Sequence, residues 1–364
     1  MKQTLTHRQI SFIVFGLVVG YGLINLPQKV AESGGTQGWV SLVFATVFTM
    51  FFTYIILSLS LSYPNQTIDE YSKVLMNSFF SYIIVIFYII YFFISFCMMT
   101  RITCETIKLT ILTNTPIWVI SLTLLIVVYY AVIHKIFTIG RICEIYGMMI
   151  ITGSIFLFFA IFLEGEWIHL LPFFEVQQLP KYIYNSKSIV FSFLGIEILT
   201  ILPIQKKDNI HVYKYVLGMI LFIGFFYILD VEACIAVMGS ENIIYYHDAL
   251  LATLRRIDIK ELQFIRRLDG IFIIVWIMSI FCSVLIEVYA TVHLISKKFK
   301  NISFSKIAVF VSIIGFFISL LPMTFMQTEE ILDIVSKMGV LTVVVFPTIL
   351  FIIEKVKKNV KKSI

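Results

Sequence analysis

The sequence contains little charge. Asp, Glu, Lys and Arg make up 14% of its 364 residues, and 59% are hydrophobic, whereas a soluble domain carries about 25% charged residues. The mean hydropathy of +0.96 makes a typical window of about 20 residues apolar enough for the interior of a bilayer. This composition excludes a soluble enzyme, and too little polar sequence remains for a catalytic domain outside the membrane. The sequence therefore predicts an integral membrane protein in contact with the lipid bilayer.

The sequence also lacks the residue pairs that build metal and redox sites. Its 5 Cys include no CxxC pair, and its 6 His include no HxxxH or HExxH pair, so no zinc site or histidine-based nucleophile is indicated. We predict a protein that is not an enzyme and that has no cofactor, metal or catalytic residue. The basic residues behind the net charge of +6 are scattered over short loops and the C-terminus, which excludes a nucleic-acid groove.

The apolar residues form ten stretches of roughly spanning length. Most of the 28 Lys and Arg residues fall on the side of the two termini, which predicts that both termini are cytoplasmic. The N-terminus runs into the first stretch without a small-residue cleavage site and is expected to be retained. The predicted spans are 10–30, 39–62, 79–103, 116–134, 142–163, 188–204, 212–238, 270–295, 305–323 and 335–353.

Two features indicate a five-plus-five repeat inverted in the membrane. A capping box, Thr67 to Glu70, begins a short amphipathic helix after the second span, and a leucine stripe within 245–262 follows the seventh span on the opposite face. An inverted repeat places equivalent elements after these two spans. We therefore expect one transmembrane domain over 1–364, with repeat one at about 10–163 and repeat two at about 188–354.

The first and sixth spans are the ones most easily interrupted. Each has glycine near its middle, at Gly20 and Gly22 or at Gly195, and each ends in Leu-Pro followed by Gln and Lys. Glycine costs roughly 1 kcal/mol of helix propensity and proline removes a donor. Paired broken helices mark the midplane binding site of inverted-repeat transporters, so we predict that both spans are broken and that the ligand binds between them.

Several short motifs are spread over almost the whole chain. They are Leu5-Thr-x-Arg8-Gln9-Ile10, Gly20-x-Gly22, Leu26-Pro27, Gly38-Trp39-Val-Ser41, Arg101-x3-Glu105, Thr115-Pro116, Arg141-Ile-x-Glu144-Ile, Leu170-Leu-Pro172, Phe193-x-Gly195-x-Glu197 and Arg267-x-Asp269-x2-Phe272-x3-Trp276. Their order and spacing resemble the B subunit of the nutrient germinant receptors of endospore-forming bacteria, within the amino acid, polyamine and organocation transporter superfamily.

The resemblance implies an all-α fold of the leucine-transporter type. It also implies a small germinant, often an amino acid, bound between spans one, three, six and eight, in a spore inner membrane that also holds A and C receptor subunits. The implied ligand-binding residues are Gly20, Tyr21, Gly22, Cys97, Met98, Phe193, Gly195, Ile196, Glu197, Cys282 and Ser283.

Each of these positions has a structural alternative. Gly20 and Gly22 either expose backbone groups to a ligand or, with Gly16, allow close helix packing. Glu197 either binds an ammonium group or lines a water path, or it pairs with another helix. Glu287 is expected to face a partner or a water cavity, whereas Asp230 and Glu232 are predicted to be solvated anchors. The cysteine, methionine and serine positions fit core packing equally well.

The residues of ion-coupled transport are not evident. The fifth span has no Lys, and the eighth has Ser279 and Ser283 without an adjacent hydroxyl pair. This favours a receptor subunit that senses a germinant and passes a conformational change to its partners. The alternative is a secondary active amino acid transporter.

Overall fold

The computed structural model describes residues 5–205, 209–257 and 268–362, and nearly all of them are helical. The helices are α1 (His7–Gly34), α2 (Gly38–Ser62), α3 (Ile68–Leu75), α4 (Ser78–Thr110), α5 (Ile117–Ile133), α6 (Lys135–Glu164), α7 (Leu179–Ile189), α8 (Asn209–Met238), α9 (Ser240–Ile243), α10 (Ala249–Arg256), α11 (Leu268–Lys298), α12 (Phe304–Ser319), α13 (Phe325–Val340) and α14 (Phe346–Lys362).

Helical elements occupy all ten of the predicted spans. Six helical segments of the described chain are long and apolar enough to cross a membrane, and three shorter helices are also apolar. α1, α4, α8 and α11 form the centre of the bundle. The start of α1 and the end of α14 lie at one face, because His7 stacks on His211 at the start of α8 and Lys357 near the end of α14 donates to the carbonyl of Val74 in α3.

The predicted interruption of the first span is not observed. α1 is one helix from His7 to Gly34, with Pro27 inside it. Its glycines serve close packing, since a Cβ at Gly20 would lie 1.9 Å from the hydroxyl oxygen of Ser283, and one at Gly22 would lie 2.4 Å from that of Tyr227. Because these glycines have no Cβ, α11 and α8 can approach α1 closely, and α1 stays a continuous helix.

The sixth span is broken, as predicted. α7 continues as a 3-10 turn, Val190–Phe193, and the chain is extended at Leu194 before a second 3-10 turn, Ile196–Thr200. Gly195 joins the two turns at φ 128°, a backbone conformation that side chains with a Cβ rarely adopt. A Cβ there would also lie 3.1 Å from the backbone nitrogen of Val18 in α1.

The two loop helices occur where the sequence predicts them. α3 begins at a complete capping box formed by Thr67 and Glu70. α10 carries the leucine stripe, and Leu250, Leu251 and Leu254 are buried where α10 packs on α1, α8 and α11. The stripe therefore closes one end of the bundle and is not available to another subunit.

The tenth span is longer than predicted and contains a π-helical turn. α13 begins at Phe325, passes into the π turn Leu341–Val345, and continues as α14. The sequence missed the first third because Glu329, Glu330 and Asp333 lower its hydropathy. This omitted part contributes to the site described below.

A candidate ligand site at the broken helix

A small cavity of about 80 Å³ lies beside the break in the sixth span. Five elements enclose it: α1, α4, the broken segment, α11 and α13. Its lining residues are Leu17, Val18, Gly22, Tyr91, Ser95, Met99, Phe191, Ser192, Leu194, Gly195, Glu197, Glu287, Leu332, Val335 and Ser336. Spans one, three, six and eight meet here as the resemblance implies, with the tenth as an additional wall.

Glu197 is held at the break by two hydrogen bonds. The Tyr91 hydroxyl of α4 donates to Oε1 at 2.7 Å, and the backbone N–H of Gly195 donates to Oε2 at 2.8 Å. The Gly195 N–H is available because its left-handed conformation interrupts the helix. The glycine therefore both opens the backbone and orients the carboxylate that lines the cavity.

Glu287 of α11 is the second carboxylate of the cavity. Ser95 of α4 donates to its Oε1 at 2.5 Å. Its Oε2 is buried and has no hydrogen-bond partner in the part of the chain that the structure describes, and the residue as a whole is only 6% exposed. A buried acceptor without a donor is costly unless a ligand, an ion, water or a proton satisfies it.

The cavity has the electrostatic character of a cation site. Glu197 and Glu287 both line it, and among the described residues none of its lining side chains is Lys, Arg or His. Carboxylates of this kind bind ammonium groups or inorganic cations, and in a low-dielectric interior the attraction is stronger than in water. The arrangement can therefore hold one small positively charged group.

Three of the sequence-predicted site residues line the cavity, namely Gly22, Gly195 and Glu197. Seven others lie outside its lining: Gly20, Cys97, Met98, Phe193, Ile196, Cys282 and Ser283. Of the glycine positions of α1, only Gly22 reaches the cavity. The side chain of Tyr21 lies outside the described part of the structure.

The residues outside the lining pack between helices. Ser283 donates to the carbonyl of Gly16 at 2.7 Å, and the Phe193 ring packs edge-on against that of Tyr227, with centroids 5.3 Å apart. Cys97 lies against α12, where its sulfur is 3.6 Å from a Cβ placed at Gly315. Cys282 approaches Gly16, at 3.0 Å from a Cβ placed there.

Cys97 and Met98 lie outside the cavity lining because of the rotation of α4 about its axis. Tyr91, Ser95 and Met99 line the cavity, and their spacing of four residues places them on one helix face. Each residue turns a helix by about 100°, so Cys97 points almost opposite to Ser95. The repeat of polar Tyr91 and Ser95 at i, i+4 in an apolar span was the available signal.

Asp230 and Glu232 are buried rather than solvated. Asp230 is fully buried, and neither its carboxylate oxygens nor those of Glu232 have a hydrogen-bond partner within the described ranges. The prediction assumed water near the end of α8. The structure instead covers that end with α9 and α10.

Known proteins match this chain over most of its length. The family model "Spore germination protein" matches residues 4–328. Spore germination protein YndE of Bacillus subtilis (strain 168) is 26% identical over 98% of this chain and 98% of its own length. Spore germination protein A2 of the same strain is 26% identical over 96% of this chain and 94% of its own, and spore germination protein GerLB of Bacillus cereus is 21% identical over 97% and 94%.

Solved structures of transporters share the fold. A Na⁺-coupled sialic acid symporter in a substrate-bound outward-open state aligns with a TM-score of 0.67 at 10% identity, over 93% of this chain and 77% of the symporter. A transporter of the nucleobase-cation-symport-1 family in a closed conformation aligns with a TM-score of 0.66 at 6% identity, over 94% and 78%. Both have the leucine-transporter fold, which confirms the predicted fold class.

Proposed function

The chain belongs to the spore germination protein family, and we propose that it is a nutrient-sensing receptor subunit that binds the ammonium group of a small germinant, such as an amino acid, in the cavity at the broken helix. Binding shifts the broken segment and α13, and partner subunits of the A and C type receive that change in the spore inner membrane. The proposed orientation has both termini cytoplasmic, and the proposed activity is binding without a chemical step.

The observation that carries this proposal is Oε2 of Glu287, which has no hydrogen-bond partner among the described residues and belongs to a cavity that Glu197 also lines and whose described lining includes no Lys, Arg or His. An ammonium group supplies the donors that this oxygen lacks. Glu197 is coupled to the break through Gly195, so a charge bound between the two carboxylates acts directly on the segment whose backbone is least regular. A ligand that binds one arrangement of this segment better than another shifts its population.

Glu287→Gln is expected to weaken the response by roughly 10- to 100-fold, because it removes the charge from a hydrogen bond to the ligand's ammonium group. The fold is expected to persist, since an amide oxygen still accepts from Ser95. Spores carrying the variant are tested for germination with each common amino acid, and protein abundance is measured alongside. Glu330→Gln, on the exposed face of α13, is the matched control.

An unchanged dose response in Glu287→Gln at normal abundance would contradict the midplane site. Tracer uptake by the purified chain in proteoliposomes separates receptor from transporter. The fold shared with Na⁺-coupled symporters keeps secondary active transport as the second candidate, and concentrative uptake of an amino acid would favour it.

A further inference from the structure

A second and larger cavity lies along the same helix faces as the first. It has a volume of about 300 Å³ and lies on the side of the bundle opposite the termini, under α10. Its lining residues are Asn25, Ile102, Glu105, Thr106, Leu109, Thr110, His247, Asp248, Leu251, Arg255, Trp276, Phe325 and Glu329. We call this cavity the vestibule.

The vestibule continues the faces that line the first cavity. On α4, Met99 belongs to the first cavity and Ile102 to the vestibule, three residues apart, which is a rise of about 4.5 Å. On α13, Leu332 and Glu329 have the same relation. The two cavities therefore follow one another along a single axis between α1, α4, α11 and α13.

Three residues that line the vestibule each carry a buried polar atom with no hydrogen-bond partner within residues 5–205, 209–257 and 268–362: Glu105 at Oε2, Asn25 at Nδ2 and Trp276 at Nε1. Their residues are 8%, 4% and 0% exposed. One atom is an acceptor and two are donors. Orphaned atoms of both kinds at one cavity are rare in proteins, because each costs free energy unless something satisfies it.

The remaining charges of the vestibule also carry both signs. Arg101, which lies outside the lining, bonds Glu105 through Oε1, at 2.7 Å from each of two guanidinium nitrogens, which holds that carboxylate in place and leaves Oε2 without a partner in the described part of the chain. Arg255 approaches Asp248 at 4.0 Å. The vestibule thus differs from the first cavity, whose lining charges are two carboxylates.

We propose that the vestibule is a second binding site, and that it takes the zwitterion of an α-amino acid. Glu105 Oε2 accepts from the ammonium group, and Asn25 Nδ2 and Trp276 Nε1 donate to the carboxylate. The apolar residues Ile102, Leu251 and Phe325 provide contacts for the side chain. The donor and acceptor set matches an amino acid and matches neither a simple amine nor a simple acid.

The proposal for the vestibule does not depend on which ligand the first cavity binds. The vestibule lies about one helical turn from that cavity along α4 and α13. The donors of the vestibule bind the carboxylate of the ligand, which the first cavity, with its two acidic side chains, does not bind.

The test is protection of an introduced thiol. Thr106→Cys places a thiol in the vestibule, while all five native cysteines are buried and react slowly with an impermeant methanethiosulfonate. Purified full-length protein in nanodiscs is modified with and without glycine, L-alanine or L-leucine. At ten times its Kd, a bound probe slows modification about tenfold. Ethylamine and propionate, which each lack one charged group, are expected to give little protection.

Variants made in the Thr106→Cys background test whether the protecting amino acid is bound by the vestibule residues. Glu105→Gln and Trp276→Phe are each expected to weaken protection, the first by roughly 10- to 100-fold in concentration because a charged hydrogen bond is lost. Trp276→Phe leaves no internal hydrogen bond broken, since Nε1 has none among the described residues, so it keeps the test valid if Glu105→Gln fails to fold. Trp118→Phe, on an exposed face of α5, is its matched control.

Glu287→Gln separates this proposal from the function proposed above. Protection that persists in Glu287→Gln but is lost in Trp276→Phe supports a vestibule site. Absence of protection by all three amino acids, equal protection by ethylamine or propionate, protection unaffected by Trp276→Phe, or protection lost in Glu287→Gln would each overturn it.

Discussion

At the residue scale, the glycines of α1 act mainly through helix packing. Gly20 faces Ser283, whose hydroxyl donates to the carbonyls of Gly16 and, at 3.4 Å, Leu17. Gly22 faces Tyr227, whose hydroxyl donates to the carbonyl of Val18 at 2.9 Å. Side-chain hydroxyls from α11 and α8 can reach these carbonyls because the glycines leave room for them.

Gly20→Ala is expected to destabilise the protein by about 1 to 3 kcal/mol, since its Cβ overlaps the Ser283 hydroxyl. Ser283→Ala alone loses a hydrogen bond worth roughly 0.5 to 1.5 kcal/mol. In the double variant the 1.9 Å overlap with the hydroxyl is gone and a 3.0 Å contact with the Cβ of residue 283 remains, so the double variant is expected to be more stable than Gly20→Ala alone. Thermal unfolding in detergent measures this cycle. Additive losses would argue against the contact, and Gly218→Ala, with open space around it, is the control.

At the element scale, the tenth span is positioned by a hydrogen bond to its π turn. The hydroxyl of Tyr88 in α4 donates to the carbonyl of Thr342 at 2.6 Å, and both residues are buried. A π turn widens the helix and often occurs at functional sites. Here it separates α13, which lines both cavities, from α14.

Tyr88→Phe is expected to lower stability by about 0.5 to 1.5 kcal/mol, because the carbonyl loses a donor that water cannot replace in the core. Thermal unfolding of the variant in nanodiscs measures the loss. Tyr130→Phe, at an exposed position of α5, controls for the removal of a hydroxyl. A Tyr88→Phe protein as stable as Tyr130→Phe would show that the bond contributes nothing.

α3 is joined to the end of α11 by an ion pair between Glu70 and Lys297, with Nζ and Oε1 2.8 Å apart. Burial tends to raise the pKa of the Glu70 carboxyl, but the hydrogen bond and charge of Lys297 lower it, and the net pKa lies below its ordinary value of 4.5. A lowered pKa means that the pair stabilises the folded state above pH 4.5 and loses this effect as the pH falls through the folded pKa.

Lys297→Met is therefore expected to reduce stability by no more than about 1 kcal/mol near neutral pH, because the pair is partly exposed. The difference from the wild type is expected to disappear as the pH falls below 4.5. Melting temperatures from pH 7 to pH 3 follow the effect, with the exposed Lys300→Met as control. A difference independent of pH would assign the loss to packing of the lysine stem instead.

At the scale of the whole molecule, the start of α1 and the end of α14 lie at one face of the bundle, and the loop after α6 lies at the other. Glu166 in that loop donates its N–H to the carbonyl of Ala236, near the end of α8. If the terminal face is cytoplasmic, as the Lys and Arg distribution predicts, a Cys at position 361 is expected to react only from inside and Trp167→Cys only from outside. Trp167 is 73% exposed.

Labelling of these two variants in intact cells with an impermeant thiol reagent measures the orientation. The buried native cysteines keep the background low. Reaction of position 361 from outside would reverse the orientation and place the vestibule on the cytoplasmic side. Reaction of both positions from one side would contradict the helix count.

The sequence by itself determined the features that depend on local composition. Apolar runs of spanning length predicted the ten spans, and the capping box predicted α3, because hydropathy and helix capping act within a few residues of the chain. The break in the sixth span was predictable for the same reason, since Gly195 and Pro203 weaken helix formation locally. The division into two repeats, at about 10–163 and 188–354, stays a prediction.

Only the tertiary structure decided how the helices are rotated and which side chains meet. Gly20 and Gly22 indicated a break in the first span, but contacts with Ser283 and Tyr227 keep α1 intact. Cys97 and Ser95 lie in the same apolar run, where the i, i+4 repeat of Tyr91 and Ser95 is the local signal, and the packing of α4 turns Ser95 toward Glu287. α13 lines the cavity, although its acidic residues lower the hydropathy of this part of the tenth span. These outcomes depend on contacts between residues far apart in the chain, which local patterns encode at most in part.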